Sequence, residues 1–310
     1  MARRVTIGAS ILVLGLVLLV VNSATAQLFI VNTLARSGAY DRHANVPYGR
    51  LPRQKLDIYV PRRQAGDRPT LIFIPGGCWG ACETLPKDDY RFIADSFAVQ
   101  GYGVVIINYR LYPDVMFPAI IDDARAAVAW VARYAQDYGI SSGNLVLMGH
   151  SAGAHMATLL ALDSRYLGPD LRSRIEGVVG LAGPYDFLPF TEPYEPALFG
   201  PEERYADSQP INFVDGTEPP MLLLYGDADT RVKPRNILQL TRRIEQRGGT
   251  VRDYCYPGID HPGIIGALSR PLRDIQPVYA DILQFLDQVR AGDLAPIPAA
   301  GRCESLREPA

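Results

Sequence analysis

Five short, largely apolar runs recur along the 310 residues, and each is separated from the next by enough chain for a helix. They are Thr70–Ile74 (TLIFI), Val104–Asn108 (VVIIN), Leu145–Met148 (LVLM), Gly177–Leu181 (GVVGL) and Met221–Tyr225 (MLLLY). A strand that is apolar on both sides must be covered on both faces, which places such runs inside a mostly parallel sheet. Helical stretches are expected over Asp88–Gln100, Pro118–Tyr138, Ala152–Asp163 and Pro234–Arg247, with a last one from about Leu272 to Val289. This alternation predicts an α/β fold with right-handed crossovers and helices on both faces. Ligands of such sheets bind at the carboxyl ends of the strands, so reactive residues are sought just after each run. Gln54–Val60 alternates apolar and polar residues and reads as an edge strand, and Val251–Tyr256 as a final strand.

The domain occupies about 51–290, after an irregular lead-in at 27–50. The connection from Gly183 to Pro220 is too long for a plain loop, and its Pro, Tyr and Phe content predicts a small cap at about 184–219. The Pro/Ala-rich tail, 291–310, is expected to be loosely ordered. Arg3 and Arg4, an apolar run from Val5 to Val21 and the small residues Ala24-Thr25-Ala26 have the pattern of a signal peptide cleaved before Gln27. Left uncleaved, the segment would be an N-terminal anchor and the only membrane contact; both readings place the domain in an exported compartment. A net charge of −2 without a basic block argues against nucleic acid as a partner. Export permits disulfides, and Cys78, Cys82, Cys255 and Cys303 allow three pairings or free thiols. Their spacing fits no zinc site, and neither metal nor cofactor is expected. Oligomeric state is left open.

Gly149-His150-Ser151-Ala152-Gly153 lies between an apolar strand and a helix, the setting of a nucleophile elbow with Ser151 exposed at the turn. A serine nucleophile needs a histidine base and an orienting carboxylate, in the chain order Ser, acid, His. Of four histidines, His43 precedes the sheet, His150 lies inside the elbow with its ring expected to point away, and His155 sits one turn along the helix as a packed residue. His261, in the loop after the last strand, is the expected base. Asp227 and Asp229 both follow the strand Met221–Tyr225; Asp229, further past the strand end, is freer to reach sideways to His261. Oxyanion donors are expected from the N–H of Ala152 and from the loop Pro75–Gly80.

These motifs resemble bacterial carboxylesterases related to hormone-sensitive lipase and to feruloyl-esterase-like α/β hydrolases. The resemblance is carried by Pro75–Trp79, by Asn108-Tyr109-Arg110-Leu111 followed by Phe117-Pro118, by the elbow, by Leu56–Pro61 and by Gly226–Pro234, over roughly residues 45–290. It implies an α/β-hydrolase fold and hydrolysis of a carboxylic ester by Ser151, His261 and Asp229, and says less about which ester. Two positions depart from the family: Pro75 replaces a histidine and Cys78 a glycine. The donors are main-chain, so Gly77 and Cys78 can still supply them, and a Cys78–Cys82 bridge could hold the loop. Trp79, Tyr185 and Phe187 are expected as pocket walls, and their aromatic character suggests a small or aryl ester. The rival readings are an arylformamidase-like amide hydrolase, which shares the run Ser151–His155, and a non-catalytic binding protein on a hydrolase scaffold.

Overall fold

The structure is a computed structural model that describes residues 32, 38–63, 67–294 and 303. Residues 1–26, with the expected signal, lie outside the described residues. No helix among the described residues is long and apolar enough to cross a membrane.

Eight strands form one sheet: β1 (Tyr40–Pro47), β2 (Lys55–Pro61), β3 (Thr70–Ile74), β4 (Val104–Ile107), β5 (Leu145–His150), β6 (Ile175–Leu181), β7 (Met221–Gly226) and β8 (Val251–Tyr256). Their order is β1-β2-β4-β3-β5-β6-β7-β8, with the β1–β2 and β2–β4 pairs antiparallel and the pairs from β4 to β8 parallel. Eight α-helices are described: α1 (Arg91–Ala98), α2 (Phe117–Tyr134), α3 (Ala152–Leu162), α4 (Ser164–Arg172), α5 (Glu195–Phe199), α6 (Arg235–Gln246), α7 (His261–Gly266) and α8 (Val278–Ala291). This is the α/β-hydrolase fold.

The period of two divides the core. Ile72, Val105, Ile107, Leu147 and Leu223 face one layer with α2, α3 and α6. Leu71, Phe73, Val104, Ile106, Met148 and Leu224 face the other with α1 and α8. Successive strand side chains alternate between faces, so an unbroken apolar run serves both.

Several expectations need correction. The lead-in contains β1, whose sequence YDRHANVP hides the strand because most of its side chains are partly or fully exposed. β2 is therefore the second strand and not an edge. Its polar Asp57 does not face water: it is fully buried and paired with the equally buried Lys87 at 2.9 Å, and with Arg42. The tail returns to the domain at Cys303, which is buried and bonded to Cys255 on β8, while its N–H donates to Asp253 at 2.9 Å. The expected last helix starts later, at Val278, and His261, expected in a loop, opens α7. Between β6 and β7 the chain forms α5 and two short 3-10 turns, Glu202–Ser208 and Pro210–Phe213.

Candidate active site

Ser151 sits between β5 and α3 with φ 56° and ψ −122°. Such a backbone is strained for a residue with a side chain, and it is locked from both sides. A Cβ on Gly149 would lie 2.2 Å from the Gly153 backbone, and one on Gly153 would lie 1.9 Å from the Ile74 carbonyl oxygen. The Ser151 N–H donates to the Leu181 carbonyl at the end of β6, at 2.9 Å. Ser151 caps the N-terminus of α3, where the helix dipole favours developing negative charge.

The candidate acid and base follow β7 and β8. β7 ends at Gly226, and Asp229 follows in a turn closed by its own N–H to the Gly226 carbonyl at 3.0 Å. Its Oδ1 accepts the N–H groups of Arg231 (2.8 Å) and Val232 (3.0 Å), while Oδ2 lies 2.7 Å from His261 Nδ1. Both oxygens of this buried carboxylate are thus committed, and one is aimed at the imidazole. His261 is the first residue of α7, a helix opened by Asp260, whose side chain accepts the Gly263 N–H at 2.8 Å. Asp-His-Pro-Gly is a helix-start pattern, with a capping aspartate and an early proline, so the sequence did signal this turn. Asp227 points elsewhere: its Oδ1 accepts the Gly258 N–H at 2.6 Å and ties the two loops together.

His150 differs from expectation. Its ring packs on that of His261, with centroids 4.7 Å apart, and its Nε2–H donates to the His261 carbonyl at 3.0 Å. Burial holds its pKa well below the ordinary imidazole value, so it supports the base without adding charge. No sequence signal marks this direction; it depends on where α7 packs.

On the other side of Ser151 lies the loop after β3. Gly77, Cys78, Trp79 and Gly80 all have positive φ. The N–H groups of Gly77, Cys78 and Ala152 have no acceptor among the described residues. A Cβ on Gly76 would stand 3.3 Å from that of Ser151, which shows how closely this backbone passes the serine. Tyr109 braces the loop from below, its hydroxyl 2.9 Å from the Pro75 carbonyl and 3.2 Å from that of Gly76. The sequence marked Tyr109 only as part of a motif, without a role. Cys78 is bonded to Cys82.

A cavity of about 610 Å³ includes Ser151, Cys78, Trp79 and Phe187 in its wall. Trp79 is also a core residue, its indole N–H donating to His155 Nδ1 at 3.3 Å. His155 Nε2–H in turn donates to the Ser208 carbonyl at 2.6 Å, and burial pushes the imidazole down to about 4. Tyr185, expected at the wall, is not part of it. It is fully buried, with its N–H donating to Asn236 Oδ1 at 2.7 Å. The segment 184–195, from the expected cap, contributes Pro184, Phe187, Pro189 and Glu195 to the wall, and the chain after Asp229 adds Arg231 and Lys233. No group of three or more metal-ligating side chains gathers among the described residues.

The BD-FAE family model matches residues 56–244, which include most of β2, the loop after β3, the turn at Ser151 and the turn at Asp229. The chain belongs to the BD-FAE family. Among curated relatives, this BD-FAE chain is 34% identical to a kynurenine formamidase of Danio rerio over 150 residues, covering 48% of each chain. It is 29% identical to the esterase LipQ of Mycobacterium tuberculosis over 283 residues, covering 82% of this chain and 66% of LipQ. The chain thus spans about half the length of the formamidases it matches. Esterase B of Lactobacillus rhamnosis shares the fold with a TM-score of 0.70 at 20% identity, over 94% of this chain and 98% of that one. A carbohydrate esterase from gut microbiota does so with a TM-score of 0.68 at 24% identity, over 82% and 98%.

Proposed function

We propose that the chain is a serine carboxylesterase that hydrolyses small or aryl carboxylic esters through an acyl-enzyme on Ser151. The observation that carries this reading is the seat of Ser151, strained and half-enclosed, with unpaired N–H groups beside it and an Asp229–His261 pair already formed nearby. In the reaction, Ser151 Oγ attacks the ester carbonyl carbon while His261 Nε2 takes the hydroxyl proton. Asp229 keeps the proton of the resting imidazole on Nδ1 and stabilises the imidazolium. The carbonyl oxygen, now negative, accepts hydrogen bonds from Gly77, Cys78 and Ala152. His261 returns its proton to the leaving alcohol. It then deprotonates water, which attacks the acyl carbon and releases the acid. Membership of the BD-FAE family and the long match to LipQ favour an ester substrate.

The formamidase match supports a second reading, amide hydrolysis, on half the chain. A fluorophosphonate probe and two substrates separate the readings. The expected result is covalent labelling that Ser151→Ala abolishes, with turnover of p-nitrophenyl acetate far above that of N-formylkynurenine. Faster turnover of the formamide would transfer the assignment, and absence of labelling would leave a binding protein.

We also propose that the domain is exported. The N-terminal pattern of charge, apolar run and small residues favours it, as do two disulfides among the described residues, since such bonds persist in oxidising compartments. Mass spectrometry of the folded protein should find a chain beginning at Gln27; a soluble cytoplasmic species starting at Met1 refutes it.

A further inference from the structure

The wall of the Ser151 cavity contains a covalent ring. Cys78 and Cys82 both line the cavity and are bonded to each other. Cys78 lies in the middle of the run Gly77, Cys78, Trp79 and Gly80, with φ values of 106°, 51°, 56° and 104°. Glycine accepts these angles, but a side chain makes them unfavourable. Such a run persists only where the surroundings over-determine it.

The two residues of this run that carry side chains are held in different ways. Trp79 is held by its packing: its carbonyl accepts the Tyr112 N–H at 3.0 Å, its indole reaches His155, and its ring meets Phe199 edge-on with centroids 4.9 Å apart. Cys78 is only partly buried. It has the Ala81 N–H on its carbonyl at 3.0 Å and the bond to Cys82.

We propose that Cys82 is a positioning residue for hydrolysis: through its bond to Cys78 it holds the N–H groups of Gly77 and Cys78 toward the oxyanion. The proposal rests on the esterase reading of Ser151. The ring spans a sequence separation of only 4, against 48 for Cys255–Cys303. Chain-entropy stabilisation grows with loop length, so the short ring contributes least to the fold. Its effect falls on local geometry, and oxyanion stabilisation depends steeply on where the donors sit.

The test compares wild type with Cys82→Ala, Cys78→Ala/Cys82→Ala and Cys78→Gly/Cys82→Ala on p-nitrophenyl acetate. Loss of one well-placed donor costs about a hundredfold in kcat. Cys82→Ala and the double-alanine variant should therefore lose at least about tenfold in kcat with KM nearly unchanged. Their melting temperatures should stay close to that of wild type. The glycine-containing variant should regain most of the lost kcat, because glycine adopts the left-handed backbone without the crosslink. A residue that only supports the fold would not produce that rescue. Dithiothreitol should lower wild-type kcat in the same way: it cleaves the S–S bond to two thiols, supplying two electrons and two protons, and is itself oxidised to a cyclic disulfide. An active wild type with Cys82→Ala unchanged overturns this proposal alone, as does equal kcat in the two double variants or a large fall in melting temperature. A wild type that neither turns over nor labels overturns the reading of Ser151, and this proposal with it.

Discussion

Asp227 and Asp229 stand two residues apart past the end of β7, yet they are bonded to different partners. Asp229 gives one oxygen to backbone N–H groups of its own turn and the other to His261, whereas Asp227 holds the Gly258 N–H of the neighbouring loop. Asp229→Asn should leave the imidazole in the wrong tautomer and lower kcat by about four orders of magnitude. Asp227→Asn keeps an oxygen acceptor and should cost stability of about 1 kcal/mol with little change in kcat. Steady-state kinetics and thermal melts of both variants check this; collapse in Asp227→Asn with near-normal Asp229→Asn would reverse the roles. At this scale the sequence was informative wherever a residue's place follows from a strand end. The elbow serine, Asp229 and His261 could be picked out because parallel strands deliver their following loops to one rim. The direction of the His150 ring and the placement of Tyr185 could not be read, because each depends on a segment distant in the chain: α7 for the His150 ring, and Asn236 at the start of α6, which accepts the Tyr185 backbone N–H.

Helix α3 is buried along its whole length, which an amphipathic pattern would not allow. It therefore carries His155 into the core, where burial lowers the pKa from the ordinary 6.5 to about 4. Between these values the unfolded chain binds more protons than the native one, so stability rises with pH. The stabilisation is fully present above about pH 6.5 and is lost as the pH falls toward about 4, a change on the order of 3 kcal/mol from His155. His150 adds to it with the same sign, since its pKa is also held down by burial. Melting temperature should fall from about pH 7 to pH 4, and fall less steeply in His155→Gln. Equal slopes in the two proteins would show that His155 does not carry the effect. Elements were legible in proportion to their apolarity. β3 and β8 match their expected bounds, whereas β1 escaped notice because an outer strand with solvated side chains has no apolar period to show. β2 was misread as an edge because its alternation hides a buried ion pair whose cation, Lys87, lies thirty residues away.

Over the whole molecule, class and layering followed from the alternation of runs, but the order β1-β2-β4-β3-β5 did not. Which strands pair depends on how the crossovers pack, and five similar apolar runs leave that undecided. The sheet has two outer strands, β1 and β8, and an outer strand can pair with another chain wherever its edge is left open. The two are guarded differently. β1 breaks its own ladder: the register with β2 shifts between His43 and Val46, where Asn45 takes φ 59°. β8 has Cys303 covalently fastened to Cys255 and hydrogen-bonded to Asp253. The distant disulfide is therefore expected to guard this edge against self-association. Replacing Cys255 and Cys303 by serine should free that margin, and light scattering should then show concentration-dependent growth of particles that the parent protein lacks. A monodisperse double variant would mean that β8 needs no such cover.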